Sequence, residues 1–217
     1  MSEVLPTGTV TLLFTDIQGS TENWERFPDA MRAALERHDA LLRQAIERHQ
    51  GYVFKTVGDA FCAAFSTAEN GLNAALEAQR TVHAEDWSRF DPQFPAVRVR
   101  MGLHTGVAQE RGGDYFGRPV NRCARLEAAA NGGQVLLSQA TQQLVRESLP
   151  PGCQLRDCGE HRLKDLLHSE HVFQLLAPDL PDVTTPLRTL EALHPRDRVQ
   201  VADIMAVDLN GKPLLTE

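Results

Sequence analysis

Tyr52-Val53-Phe54-Lys55-Thr56-Val57-Gly58-Asp59-Ala60-Phe61-Cys62-Ala63-Ala64-Phe65 consists of two apolar runs held apart only by a Gly-Asp dipeptide. Such a dipeptide suits a tight two-residue turn, so the stretch reads as a β-hairpin with strands at 52–57 and 60–65 and Asp59 at its tip. Upstream, residues 9–14 are short, apolar and β-branched, which predicts a first strand that delivers Asp16 at its end. Between them, Met31, Ala34, Leu35, Leu41, Leu42, Ala45 and Ile46 recur at helical spacing, and Gly51 stands where a helix C-terminal cap belongs. A long amphipathic helix over 29–50 follows.

Downstream of the hairpin, Ser66 with Glu69 has the form of a capping box, and Leu72, Ala75, Leu76, Gln79 and Val82 continue at helical period. Val97, Val99, Met101 and Leu103 alternate with Arg98, Arg100 and Gly102, the period of a half-buried strand. A third helix is expected over 118–131, ended by Gly132-Gly133, then a strand at 134–138, a short helix at 138–149, and a strand pair at 153–158 and 171–176. The order is β-α-β-β-α-β with αββ added. It predicts an α+β, ferredoxin-like core with helices on one face of an antiparallel sheet. After Ala177, prolines at 178, 181, 186, 195 and 213 interrupt any period. The expected organisation is one domain over 1–177 and a linker or tail over 178–217, where Asn210-Gly211 is placed for a small hairpin.

Bulk composition narrows the function. A hydrophobic fraction of 42% and a charged fraction of 24% belong to an ordinary globular chain. The net charge of −7 disfavours nucleic acid as the main partner, because that affinity rests on basic groups displacing counterions. No apolar run approaches the roughly 18 residues of a membrane span, and the N-terminus lacks a signal-peptide pattern, so a cytoplasmic location is expected. The four cysteines, 62, 123, 153 and 158, form no Cys-x-x-Cys pair and are expected as free thiols.

Asp16 and Asp59 are the first candidates for chemistry, since the predicted sheet brings a strand end and a hairpin tip side by side. Two close carboxylates repel, and a hard cation such as Mg²⁺ relieves that repulsion while binding substrate phosphates. Each alone has a plainer reading, Asp16 as a turn cap and Asp59 as an ordinary hairpin residue. The small-residue turn Gln18-Gly19-Ser20-Thr21 adds weight to the metal reading, because its backbone N–H groups, at Gly19, Ser20 and Thr21, can face a triphosphate. Asn121 and Arg125 lie four apart, hence on one face of the third helix, with Val120, Ala124, Leu126 and Ala128 expected on the buried side. A solvated face is the commoner use of such an Arg.

Four ordered motifs make the sequence recognisable over about residues 8–177: Phe14-Thr15-Asp16-Ile17-Gln18-Gly19-Ser20-Thr21; Phe54-Lys55-Thr56-Val57-Gly58-Asp59-Ala60; Asp114-Tyr115-Phe116-Gly117 followed by Val120-Asn121-Arg122-Cys123-Ala124-Arg125; and Leu163-Lys164-Asp165-Leu166. Together they resemble the class III adenylyl and guanylyl cyclase catalytic domain, most closely its bacterial, adenylyl-type members. The resemblance implies Asp16, Asp59 and the Ile17 carbonyl as ligands of two divalent ions, Mg²⁺ or Mn²⁺. It implies Asn121 orienting the ribose, Arg125 stabilising charge on the α-phosphoryl oxygens, and Lys164 holding the terminal phosphates. It also implies a head-to-tail homodimer in which each site is shared. The family's base-reading positions fall on Lys55 and Asp114. An ammonium donor with a carboxylate acceptor matches N1 and N6 of adenine and mismatches guanine, so ATP is the expected substrate and cyclic AMP the product.

Two departures and one look-alike qualify the match. Ser20 stands where many animal cyclases carry Phe, and Arg111, in the short loop before Asp114, has no secure counterpart. Gly112-Gly113-Asp114-Tyr115-Phe116 looks like a diguanylate cyclase signature, but that signature belongs on the first hairpin, 43 residues after Asp16, whereas Asp114 lies 98 residues after it. The remaining functional alternatives are a catalytically weak dimerisation or nucleotide-sensing module and a cyclase for another nucleoside triphosphate. A regulatory domain or partner acting through the tail is a further expectation.

Overall fold

The computed structural model describes residues 5–189. Strand β1 (Gly8–Ile17) lies near the middle of an eight-stranded sheet, between β3 (Ala60–Phe65) and β4 (Val99–Arg111), with β2 (Tyr52–Val57) outside β3. The order β2-β3-β1-β4 is the four-strand ferredoxin-like arrangement, and β6 (Val135–Ser138), β8 (Glu170–Leu176) and β7 (Gln154–His161) extend it beyond β4. Only β4 and β6 run parallel among these pairs. A short β5 (Asp114–Phe116) folds back on the far end of β4. The α+β, class III cyclase-like fold is therefore as the sequence implied.

Helices cover both faces, and here the expectation of one covered face is corrected. The long α2 (Pro28–Arg48), α3 (Ala68–Ala84) and α5 (Gln139–Val145) share one core with Leu13, Ile17, Phe61, Met101 and Leu103. The other face, carrying Val10 and Leu12, packs under α4 (Arg118–Ala129) through Cys123. Period-2 alternation along β1 supplies apolar residues to both sides, as a strand buried on two faces requires. Gly102 decides how close α4 can come: a Cβ there would sit 2.5 Å from the Glu127 nitrogen and 2.9 Å from the Cys123 carbonyl oxygen. The Cys123 thiol donates to the Gly102 and Leu12 carbonyls, at 3.2 and 3.3 Å. The seam of α4 is thus Cys123, Leu126 and Ala129, one position away from the expected Ala124 and Ala128, which are half-buried.

Other boundaries also moved. β1 continues three residues past Phe14, so Asp16 sits within the strand. A seven-residue helix α1 (Ser20–Arg26) opens at Ser20 where a turn was expected, and α3 is capped by Thr67, whose hydroxyl accepts from the Asn70 N–H at 3.2 Å, rather than by a Ser66–Glu69 box. β4 starts at Val99 rather than 97 and runs to Arg111, α4 ends at Ala129 rather than 131, and α5 stops at Val145 rather than 149. The four cysteines are free thiols.

Residues 178–189 lie against the domain. Asp179 pairs with Arg80, Asp182 forms a two-point ion pair with Arg156 at 2.8 and 2.6 Å, and Leu187 is buried beside Leu126, Ala129 and Leu163. The possible hairpin around Asn210-Gly211 falls outside the described residues.

Candidate active site

The first cluster forms where β1 meets the β2–β3 turn. Gly58 adopts φ 61°, a conformation glycine takes without strain, and the turn returns Asp59 beside Ile17. The Ile17 N–H donates to Asp59 Oδ2 at 2.9 Å, which fixes that carboxylate next to Asp16. Asp16 accepts from Arg100 Nε at 2.9 Å and also from Arg100 Nη2. Burial raises the Asp16 carboxyl above its ordinary value; Arg100 opposes that shift and the neighbouring Asp59 charge adds to it. Glu127 of α4 completes the group. Its Oε1 lies 2.7 Å from Arg100 Nε but, with that N–H aimed at Asp16, has no hydrogen bond. Burial pushes Glu127 up to about 7, the Arg100 charge opposing.

Arg100 and Glu127 were not among the residues singled out from sequence. Arg100 was legible only as a polar position of an alternating strand; its meaning depends on β1–β4 register, which sets it opposite Asp16. Gln18 and Gly19 form the bend after β1, Gly19 with φ 75°, and Ser20 and Thr21 lie in the first turn of α1. Gln18 Oε1 accepts from the Gly132 N–H at 2.5 Å, tying this bend to the loop after α4.

The second cluster is Lys55 with Asp114. Gly112 and Gly113, both at positive φ, turn β4 into β5 and carry Asp114 over the β2 edge, where Lys55 Nζ donates to Asp114 Oδ2 at 2.8 Å. That hydrogen bond raises the Lys55 ammonium and lowers the Asp114 carboxyl. Tyr115 anchors the strand: its hydroxyl donates to the Pro6 carbonyl at 2.7 Å and its ring packs 4.9 Å from that of Phe54. The pair stays accessible at the sheet edge, with one hydrogen-bond donor and one acceptor side by side.

The third cluster lies on α4 and the β7–β8 loop. Asn121 is exposed and Arg125 half-buried, with Arg125 Nη2 donating to Asp165 Oδ2 at 2.5 Å. Leu163, buried under α4, pins the loop so that Lys164 and Arg125 line one cleft of about 250 Å³. At about 100° per residue, Arg125 and Glu127 project from α4 in nearly opposite directions. Glu127 faces Arg100 and Asp16. The helix therefore stands between the Asp16–Asp59 pair and the Asn121–Arg125 face of the same chain.

Residues 3–176 match the family model described as the adenylate and guanylate cyclase catalytic domain. The chain belongs to that family. An uncharacterized protein of Mycobacterium tuberculosis is 41% identical over 194 residues, covering 88% of this chain, and the chain spans 64% of that protein's length. An adenylate cyclase of Trypanosoma brucei, solved in its monomeric state, has a TM-score of 0.72 at 29% identity, covering 86% of this chain and 95% of its own. The adenylyl cyclase CyaB of Pseudomonas aeruginosa shares the fold, with a TM-score of 0.69 at 23% identity over 80% of this chain and 97% of its own. Among the described residues of the cyclase domain no helix is long and apolar enough to cross a membrane.

Proposed function

We propose that the domain converts ATP to 3′,5′-cyclic AMP and pyrophosphate in a head-to-tail homodimer. The observation that carries the choice of ATP is the Lys55–Asp114 pair, with Nζ and Oδ2 2.8 Å apart. A base set against the pair meets a donor and an acceptor side by side in the order adenine needs, ammonium to N1 and carboxylate from the N6 amino group; guanine would place donor against donor. The adenylate cyclase identity of the trypanosomal relative supports the same choice.

The dimer is supported by the direction of side chains on α4. Arg125 and Glu127 leave the helix on opposite sides, which supports a site in which Asp16 and Asp59 of one chain meet Arg125 of another. A second copy placed head to tail brings its own Asn121, Arg125, Lys55 and Asp114 against the carboxylates of the first, and symmetry makes two such sites.

The donor set fits a hard divalent cation. Asp16, Asp59 and the Ile17 carbonyl offer only oxygen; burial, and after it the neighbouring Asp59 charge, lifts Asp16, and a bound Mg²⁺ or Mn²⁺ would favour its charged form. When bound, two such ions would polarise the α-phosphate and offset the charge of the pyrophosphate leaving group. Asn121 orients the ribose so that its 3′-oxygen lies in line with the bond to be broken. That oxygen bonds to the α-phosphorus as the bond from phosphorus to the pyrophosphate oxygen breaks, and the hydroxyl proton passes to solvent water. Arg125 carries charge on the α-phosphoryl oxygens, and Lys164 retains the terminal phosphates. Gly19, just before α1, and Ser20 and Thr21 in its first turn offer backbone N–H groups on the carboxylate side.

Purified protein incubated separately with ATP, GTP, CTP and UTP, with Mn²⁺ or Mg²⁺, and followed by mass spectrometry tests the proposal. Cyclic AMP as the main product is the expected result. Cyclic GMP in preference would overturn the base assignment, and no product from any nucleotide would overturn the enzyme reading.

A further inference from the structure

Arg188 lies twelve residues beyond the end of the family match at residue 176, yet it lines the cleft that holds Arg125 and Lys164. We infer that Arg188 is a third phosphate-binding cation of the nucleotide site, supplied by the strap of residues 178–189 and aimed at the terminal phosphates of the triphosphate and at pyrophosphate. The inference rests on the proposal that Arg125 and Lys164 face a nucleotide.

The strap is fastened rather than draped. The Gln134 and Gln174 side-chain amides both donate to the Val183 carbonyl, at 3.2 and 3.1 Å, and Asn131 Nδ2 donates to the Pro186 carbonyl at 3.0 Å. Leu187 is 8% exposed and packs under the end of α4, and the Arg188 N–H donates to the Ala129 carbonyl at 2.8 Å. That last bond satisfies a carbonyl that the end of α4 leaves without a helical partner. A buried anchor followed at once by an exposed arginine holds the backbone while leaving the guanidinium free to reach outward.

Charge at the cleft then becomes selective. Among the described residues neither Lys164 nor Arg188 is paired with a carboxylate, and Arg125 is paired only with the exposed Asp165. Three cations converge on a cleft of about 250 Å³ in a chain whose net charge is −7. Asp165 offsets one of these charges and the Arg188 charge also acts on the Glu127 carboxyl, so the cleft keeps an excess of positive charge that a polyphosphate would offset. Arginine adds a planar fork suited to two phosphate oxygens at once, which a lysine does not offer.

The test uses the full chain with Mn²⁺ and measures displacement of a fluorescent ATP analogue by inorganic tripolyphosphate, a probe that has phosphates and no base. Arg188→Gln should weaken tripolyphosphate about fivefold to tenfold, the range for a lost charge-assisted contact at a solvent-accessible site. The KM for ATP should rise by a similar factor while kcat stays within about twofold, because the contact is made in the ground state as well. Arg188→Lys should recover part of the loss. Leu187→Ala, which frees the strap and leaves every charge in place, should lose affinity in the same direction. Equal tripolyphosphate affinity in wild type and Arg188→Gln would overturn the inference and leave the site proposal standing. A wild-type chain that binds ATP but not tripolyphosphate would also overturn it, and one that binds neither would overturn both.

Discussion

Mixing two inactive variants gives the most exacting check on how this site is assembled. Asp16→Ala removes a metal-side carboxylate and Arg125→Ala removes the guanidinium on the opposite side of α4, so each homodimer should be inactive at both of its sites. In a heterodimer one site inherits both defects, while the other combines an intact carboxylate pair from one chain with an intact Arg125 from the other. Random exchange at equal amounts makes about half of the dimers heterodimers, each with one working site in two, so activity should recover to about a quarter of wild type. The assay is cyclic AMP formation after the variants are mixed, with subunit exchange followed independently by native mass spectrometry of differently tagged chains. Exchange without recovery would refute the shared site, and so would full activity in either single variant. The reasoning rests on the opposed directions of Arg125, toward Asp165, and Glu127, toward Arg100 and Asp16.

Three other substitutions probe separate parts of the argument. Gly102→Ala drives a methyl group into the α4 backbone at 2.5 Å, and the strain should cost about 2–3 kcal/mol, lowering the melting temperature by about 5–10 °C; an unchanged melting curve would mean that α4 is not held as closely as described. Burial, reinforced by the Arg122 charge, pulls the His104 imidazole from 6.5 down to about 4, so the unfolded chain binds a proton that the folded chain refuses between those values. Stability should hold above about pH 6.5, fall by up to about 3 kcal/mol as the pH drops toward 4, and lose that part of its slope in His104→Gln, as read by urea denaturation across the pH range. Lys55→Glu sets a carboxylate beside Asp114 and should lower kcat/KM for ATP by about 10- to 100-fold while shifting preference toward GTP. An unchanged ATP-to-GTP ratio would remove Lys55 from base reading.

Much of the framework was legible in the sequence because it depends on local signals. The Gly58-Asp59 dipeptide between two apolar runs set the hairpin, the 3.6-residue period of Met31 to Ile46 set the long helix, and the ordered motifs set the family. Asp16, Asp59, Lys55, Asp114, Asn121, Arg125 and Lys164 were all named on that basis, and their roles in catalysis remain those proposed above. The errors arose where tertiary contact overrides local pattern. β1 is buried on both faces, so its apolar content could not reveal that α4 crosses the opposite side, and the exact seam of α4 depends on Gly102 admitting its backbone.

By itself, then, the sequence determined the main strands and the longer helices, though not α1 or β5, and which residue types stand at the strand ends and helix faces, since propensity, period and turn chemistry act within a few residues. Only the tertiary structure decided which charges meet. Strand register set Arg100 against Asp16, the packing angle of α4 sent Glu127 toward that pair and Arg125 away from it, and the strap brought Arg188 to Lys164, 24 residues earlier in the chain, and to Arg125, 63 residues earlier. Electrostatic attraction and repulsion depend on distance through space, and that distance is set by packing rather than by position along the chain.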